Sequence, residues 1–396
     1  MTLKMKESKK MNDIPFSGIR KVFEAAANLE KEGKEIINLG IGRPNFDTPV
    51  HIKEACKKAL DDGQVFYASN YGIESLREAV ANKFNKDNGL DFKMSDIIVT
   101  VGANQAVSIA MTALLDPDDE VLVPNPSWLH YFYCADLVGA KTVSYPLLEE
   151  NNFNVITEEI EKLITDKTKM IIVNSPNNPT GSMLSKESLQ KISEIAIKHN
   201  LIVLSDEIYE KLIYDDSVHY SIASLPNMKE RTVVINGVSK AYSMTGWRIG
   251  FVGCANPEFI SAMIRVLQYT VTCAPSFVQY GALEALNGPQ ECIESMRVEF
   301  DKRRKLVFEF INKIEGLSCK CPKGAFYAFV NIKKLGITDQ EASAYFLNEA
   351  GVALIPGSAF GEYGEGYLRI AFSNSYENIE KAMKKIEAAT KKLLNK

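Results

Sequence analysis

Six short runs of aliphatic and β-branched residues recur through the first two thirds of the chain, at 97–101, 121–123, 170–173, 201–204, 233–235 and 249–252. Their apolar character is continuous rather than alternating, as strands buried on both faces require. Between them, apolar positions at helical spacing predict helices over 105–115, 185–198 and 257–268. Strands alternating with helices imply an α/β fold: a large domain whose mainly parallel sheet is covered by helices on both faces. Upstream, helices are predicted to about residue 29 and over 51–60 and 73–84, with Ile73, Leu76, Val80 and Phe84 on one face, and a short strand over 36–39.

From about residue 282 to 314 the pattern is helical and charged, long enough to leave the sheet and begin a second lobe. Beyond it come a helix near 339–350, a strand over 352–355, a strand carrying Arg369 and a terminal helix. This succession lacks a strand–helix–strand rhythm and predicts a smaller α+β domain. The expected division is an N-terminal segment, 1–49, packing with the small domain, a large domain over 50–285, and a long helix with the small domain over 286–396.

A chain of 396 residues is long enough for two or three domains or subdomains. The net charge of −4 offers no general attraction to nucleic acid or anionic membrane. One short basic stretch, 297–304, reads as a solvated helix face. No run approaches the ~18 apolar residues of a membrane span. Residues 1–11 are Lys-rich without an apolar stretch, so they read as a polar leader and not a secretory signal. Seven scattered cysteines and four histidines show no ligand spacing, which suits free thiols in a reducing cytoplasm and predicts no metal.

In doubly wound sheets ligands sit beyond the carboxyl ends of the strands, so the residues just after each run carry the candidate chemistry. After 97–101 come Gly102, Ala103 and Asn104, a helix opening that suits a phosphate or a plain tight turn. After 121–123 comes Trp128, placed either to stack on a flat ring or to fill the core. After 170–173 the chain reads Asn174-Ser-Pro-Asn-Asn178-Pro-Thr-Gly181, a shaped loop offering the Asn178 amide. After 201–204 come Ser205-Asp206-Glu207-Ile-Tyr209. A carboxylate at a buried strand end needs a cationic partner, such as a protonated ring nitrogen; the alternative is a helix cap.

The run 233–235 delivers Ser239, Lys240 and, eight residues on, Arg248. An interior lysine is costly, so Lys240 reads as an amine that condenses with an aldehyde cofactor, or else as a surface lysine in a turn. Arg248 suits a phosphate, and Arg369, in an apolar strand, suits an α-carboxylate gripped by both guanidinium arms. Upstream, Gly40-Ile-Gly42-Arg43-Pro44-Asn45 fails the G-x-G-x-x-G dinucleotide fingerprint because Asn45 replaces the third glycine.

Taken together, Asn178-Pro-Thr-Gly181, Ser205-Asp206-Glu207-x-Tyr209, Ser239-Lys240, Gly246-Trp-Arg248 and Arg369 resemble the fold-type I pyridoxal-phosphate-dependent aminotransferases of class I. The likeness is to the aspartate and aromatic amino acid aminotransferase branch and runs from Ile14 to the terminal helix. It implies that Lys240 binds pyridoxal 5'-phosphate covalently and shuttles a proton, that Asp206 meets the pyridine nitrogen, and that Asn178 and Tyr209 meet the ring oxygen. Trp128 would stack on the ring. Gly102, Ala103, Asn104, Ser239, Arg248 and Tyr67 of a neighbouring subunit would hold the phosphate, in a homodimer with its site at the interface. Gly42, Asn178, Trp128 and Arg369 would receive the substrate.

Two departures from the family pattern stand out: Gly237 where relatives often carry Ser or Thr, and Arg43-Pro-Asn45 where many read Glu-Pro-Asp. Arg43 is a candidate partner for the second carboxylate of a dicarboxylic substrate. The implied reaction moves an amino group from an aromatic or aspartate-like L-amino acid to a 2-oxo acid, 2-oxoglutarate, in two half-reactions. A carbon–sulfur lyase or related eliminase on the same residues, and a non-catalytic protein retaining the fold, are the alternatives.

Overall fold

A computed structural model describes residues 7–395, so the expected polar leader lies outside the described residues as far as residue 6; Lys9–Asp13 form a 3-10 turn. The strands in chain order are β1 (Ile37–Asn38), β2 (Ile97–Thr100), β3 (Glu120–Asn125), β4 (Lys141–Pro146), β5 (Thr168–Asn174), β6 (Ile202–Asp206), β7 (Thr232–Gly237) and β8 (Gly250–Gly253). From β2 to β8 they form one seven-stranded sheet, ordered β2-β8-β7-β6-β5-β3-β4. β8 is antiparallel to both neighbours, and the other pairings are parallel.

All six apolar runs are strands of this sheet, and β4 is the one the hydrophobic pattern does not announce. It lies at the sheet edge with its Thr, Val and Ser only partly covered, so its sequence never becomes a continuous apolar run. Helices Gly102–Leu114 and Pro257–Thr270 bury Ala106, Ala110, Met263 and Leu267 against one face, with Ile98, Val123, Leu204 and Val252. Helices Glu74–Asn88 and Ser276–Asn287 bury Val80, Phe84 and Ala282 against the other, with Val99, Val234 and Phe251.

The long helical stretch expected from residue 282 is two helices, Ser276–Asn287 and Glu291–Ile311. Pro289 lacks the N–H a continuing helix needs and pushes Gly288 into extended backbone, at φ −78° and ψ −170°. Further along are β9 (Ser318–Cys319), β10 (Tyr327–Asn331), β11 (Val352–Ala353), β12 (Ile355–Pro356) and β13 (Tyr367–Ala371). The order β12-β13-β10-β9 is antiparallel throughout. The strand expected over 352–355 divides at Leu354, and its first half, β11, pairs instead in parallel with β1. The terminal helix Tyr376–Leu394 covers this region with Ile379, Ala382, Met383 and Ile386.

The basic stretch 297–304 is not a solvated face. Arg303 and Arg304 are buried, and each is matched by acceptors on neighbouring elements. Arg304 bonds Asp215 and Asp301 at 2.7 Å and lies over the Tyr214 ring. Arg303 donates to Asn45 Oδ1 at 2.7 Å and covers the Phe46 ring, pinning the Gly40–Pro49 turn to the helix Glu291–Ile311. Helical periodicity counts charges as outward, and here paired guanidinium groups face in.

Candidate active site

The carboxyl ends of β5, β6 and β7 open into a cavity of about 350 Å³ closed on its far side by β10 and β13. Eleven of the thirteen residues expected at the site line it: Gly42, Ala103, Asn104, Trp128, Asn178, Asp206, Tyr209, Ser239, Lys240, Arg248 and Arg369. Gly102 lies directly beneath Arg248. Tyr67 does not enter the cavity and is 88% exposed.

β7 carries the chain toward the cavity, and the turn after it presents Lys240. The backbone of β8 passes so close to Gly237 that a Cβ there would meet Ile249 O at 2.9 Å and Gly250 Cα at 3.1 Å. The departure from Ser or Thr at this position therefore has a packing cause. The Lys240 ammonium donates to Gly42 O at 2.8 Å and stands over the rings of Tyr209 and Phe326. Burial, with Arg369 and Arg248 facing it, brings its pKa down to about 8, partly opposed by Asp206. Lys240 is thus close to releasing its proton near neutral pH.

Asp206 ends β6, 2% exposed. Its Oδ1 accepts from the Ile208 N–H at 3.2 Å, closing a turn where no helix follows, and its Oδ2 accepts from the Tyr131 hydroxyl at 2.6 Å. Burial raises its pKa to about 6 in spite of both donors. Three residues on, Tyr209 shares a 2.8 Å hydrogen bond with the Tyr327 hydroxyl.

Arg369, on β13, is fully enclosed. It donates to Asn178 Oδ1 at 2.9 Å and Gly40 O at 2.6 Å, and lies between the rings of Tyr327 and Phe360. Its Nε is buried with no partner among the described residues, so the fork has a donor left over. Asn178 is fixed in turn by Asn174, whose Oδ1 accepts from the Asn178 N–H at 3.1 Å.

Helix Gly102–Leu114 begins at the cavity, where Ala103 and Asn104 of its first turn line the wall together with Arg248. Gly102 has φ +78°, and a Cβ there would lie 2.4 Å from Arg248 Nη2. Only glycine lets the guanidinium come this close to the start of the helix. On the facing wall Trp128 stacks on His130, with centroids 4.5 Å apart and planes 28° apart.

Several residues here escape a reading confined to the turns after strands. Tyr131 and His130 sit on the helix after Trp128. Tyr327 lies within a strand, and Ile19 and Phe23 come from the helix Gly18–Lys31 far upstream. Behind Asp206, Glu207, Glu210 and His219 cluster within reach of a common ligand. Both carboxylates are already met, Glu207 by His219 at 3.1 Å and Glu210 by Lys83, with Asn88 bridging the two. With Glu207, against burial, also raising the His219 pKa, these groups form a closed network that ties the Asp206 turn to the helix Glu74–Asn88.

A two-lobed α/β protein with a buried lysine and aspartate facing one cavity, and two arginines beside them, defines the class. The chain belongs to the aminotransferase class I and II family, whose profile matches residues 34–386. It is 47% identical over 386 residues to the aspartate aminotransferase of Pyrococcus abyssi, covering 97% of this chain and 98% of that one. It is 46% identical over 379 residues to aromatic-amino-acid aminotransferase 2 of Thermococcus litoralis, covering 95% and 96%. Among solved structures, the aromatic aminotransferase from Pyrococcus horikoshii superposes with a TM-score of 0.89 at 45% identity, covering 93% and 99%. Aspartate aminotransferase from Thermus thermophilus with maleate gives 0.93 at 36%, covering 97% and 100%.

The chain is an aminotransferase, and the family implies pyridoxal phosphate. The residues present fit that group. The first turn of the helix at Ala103 and Asn104, with Ser239 and Arg248, offers a phosphate its donors on one side of the cavity, and a carboxylate, a flat indole face and a reactive amine border the same space.

Proposed function

We propose that this enzyme moves the amino group of an aromatic or aspartate-like L-amino acid to 2-oxoglutarate in two alternating half-reactions. The observation that carries this is the convergence of Lys240 and Asp206, with opposed pKa displacements, on one cavity that also presents the Arg369 fork. In this reading Lys240 Nζ would hold the cofactor through its aldehyde carbon, with loss of water, and, once displaced by the substrate amine, would carry the substrate's Cα proton to the cofactor's carbon. Asp206 keeps the pyridine nitrogen protonated, and Asn178 and Tyr209 donate to the ring oxygen. Trp128 covers the ring, and Gly102, Ala103, Asn104, Ser239 and Arg248 hold the phosphate. Bound there, pyridoxal 5'-phosphate supplies an electron sink for charge developing on the substrate's α-carbon. Arg369 and Asn178, with the Gly42 backbone, grip the substrate carboxylate.

Among the lining residues not assigned to cofactor or carboxylate, Ile19, Phe23 and Arg43 come from the N-terminal segment. The Phe23 ring lies over Gly40, whose carbonyl holds Arg369. A side chain projecting from a carboxylate on Arg369 therefore meets an apolar surface, which supports an aromatic donor. Arg43 is exposed at the mouth and has no ion pair among the described residues, which supports a second carboxylate on the acceptor.

A homodimer sharing its sites across the interface is part of the same reading. Phe66 and Tyr67, 81% and 88% exposed, adjoin Tyr269, 85% exposed, through the Asn70–Thr272 hydrogen bond. An apolar patch of this kind on a folded surface calls for a partner. The proposed domains are 50–285 for the large one and 286–396 for the small, with 1–49 packing on the latter. A cytoplasmic location is supported by seven unbridged cysteines; among the described residues no helix is long and apolar enough to cross a membrane.

The test is a panel of amino acids, each assayed with 2-oxoglutarate for the matching 2-oxo acid and glutamate. Ammonia and pyruvate from a cysteine conjugate without any oxo acid would identify the eliminase instead. A colourless protein inert to borohydride in the presence of pyridoxal phosphate would remove the catalytic reading altogether.

A further inference from the structure

Besides Ser108 and Cys134, 3.5 and 3.3 Å from its Nε2, His130 contacts two different walls of the cavity. Its ring stacks on Trp128 at 4.5 Å, on an indole that lines the cavity. Its Nε2 lies 3.0 Å from the carbonyl oxygen of Asn104, in the first turn of the helix Gly102–Leu114. A carbonyl only accepts, so Nε2 carries the proton and donates. Burial holds the imidazole pKa below its usual value, which keeps the ring neutral and fixes that tautomer's other nitrogen as lone pair. The Ser108 hydroxyl, one turn further along the same helix, donates to the same oxygen at 3.0 Å, so it is the His130 bond that ties the helix's opening turn to the segment carrying Trp128.

We propose that His130 is a positioning residue that couples the stacking wall to the phosphate cradle, so that both grip pyridoxal phosphate at fixed separation. It touches neither reacting atoms nor, by its place behind Trp128, the cofactor itself. Its effect runs through Trp128 on one side and through Ala103 and Asn104 on the other. This rests on the cofactor assignment above.

The experiment measures the dissociation constant of pyridoxal phosphate, and separately of pyridoxal, for the full chain by equilibrium dialysis. Trp128 fluorescence is followed in a Trp247→Phe background, since the chain holds two tryptophans. His130→Ala removes both contacts and is expected to weaken pyridoxal phosphate binding about tenfold, roughly the sum of one stacking and one hydrogen-bond contribution. It should weaken pyridoxal less, because the cradle then drops out of the comparison. His130→Phe keeps the stack, and His130→Gln keeps a donor; each should recover part of the loss. The two also keep the test alive should the alanine variant fail to fold.

Unchanged dissociation constants, within twofold, in a His130→Ala protein of lowered Tm would make the residue a plain helix stabiliser and overturn the proposal. Equal losses for pyridoxal and pyridoxal phosphate would overturn the coupling to the cradle. If wild-type protein binds neither compound, the cofactor assignment itself fails, a result distinct from either.

Discussion

The Tyr131 hydroxyl donates to Asp206 Oδ2 across 2.6 Å, between two side chains shut away from water. The acceptor is a carboxylate whose ionisation burial opposes, so this bond helps keep the charge in place. In Tyr131→Phe the acid limb of kcat/KM should move to higher pH, with about tenfold lower activity on the acid side, since a charged hydrogen bond contributes about 1.5–3 kcal/mol. A pH profile superimposable on the wild type would show that Asp206 does not depend on this donor.

The same carboxylate makes a prediction for the cofactor-free protein. Its pKa is about 6 when folded, against an ordinary 3.8. Between those values the folded state holds a proton that the unfolded chain has released. Stability therefore falls as pH rises from about 4 to about 6, and the deficit, roughly 3 kcal/mol, is complete above that window. Asp206→Asn removes the charge and should raise the Tm of the cofactor-free protein at pH 7 while abolishing turnover. Thermal melts at pH 4 and pH 7 decide it: a variant gaining nothing at pH 7 relative to pH 4 contradicts the sign.

Much of this site was legible because its chemistry sits where buried strands end. The turns after β2, β5, β6 and β7 each succeed a continuous apolar run and each bring a residue into the cavity. Tyr131, Tyr327 and Phe23 were not legible, because an aromatic residue on a helix or inside a strand carries the same pattern whether it faces a cavity or the core. Arg303 and Arg304 misled for a related reason. Charge patterning shows which residues can be solvated, and only the fold shows that Asp215, Asp301 and Asn45 arrive to satisfy them. The break at Gly288-Pro289 was written in the sequence and was outweighed by the helical spacing on either side.

Lys240 should behave as an unusually acidic amine. With its pKa near 8, the neutral nucleophile is a substantial fraction at pH 7.5, where an ordinary lysine is almost wholly protonated. The rate at which cofactor-free protein is trapped by pyridoxal and borohydride should rise with pH and level off above about 8. A rate still climbing tenfold per unit at pH 9.5 would mean that burial and the neighbouring arginines do not act on this amine. Lys240→Ala should show no trapping and no turnover, yet bind pyridoxal phosphate reversibly through the remaining contacts.

Arg43 tests the acceptor half of the reaction. The cavity holds four cations, Lys240, Arg248, Arg369 and Arg43, against the single carboxylate of Asp206. In the proposed complex Lys240 becomes bonded to the cofactor, Arg248 meets the phosphate and Arg369 the α-carboxylate, which leaves Arg43 unmatched. A dicarboxylic oxo acid supplies the missing charge, and at an exposed position such a pair is modest, within about 1 kcal/mol. Arg43→Ala should therefore raise KM for 2-oxoglutarate about threefold to fivefold, with kcat and the KM of an aromatic donor little altered. Added salt should raise the wild-type KM and leave the variant nearly insensitive, because screening weakens only a charge pair that exists. If KM for 2-oxoglutarate is the same in both proteins at low salt, the second carboxylate is bound elsewhere and Arg43 is an ordinary surface arginine.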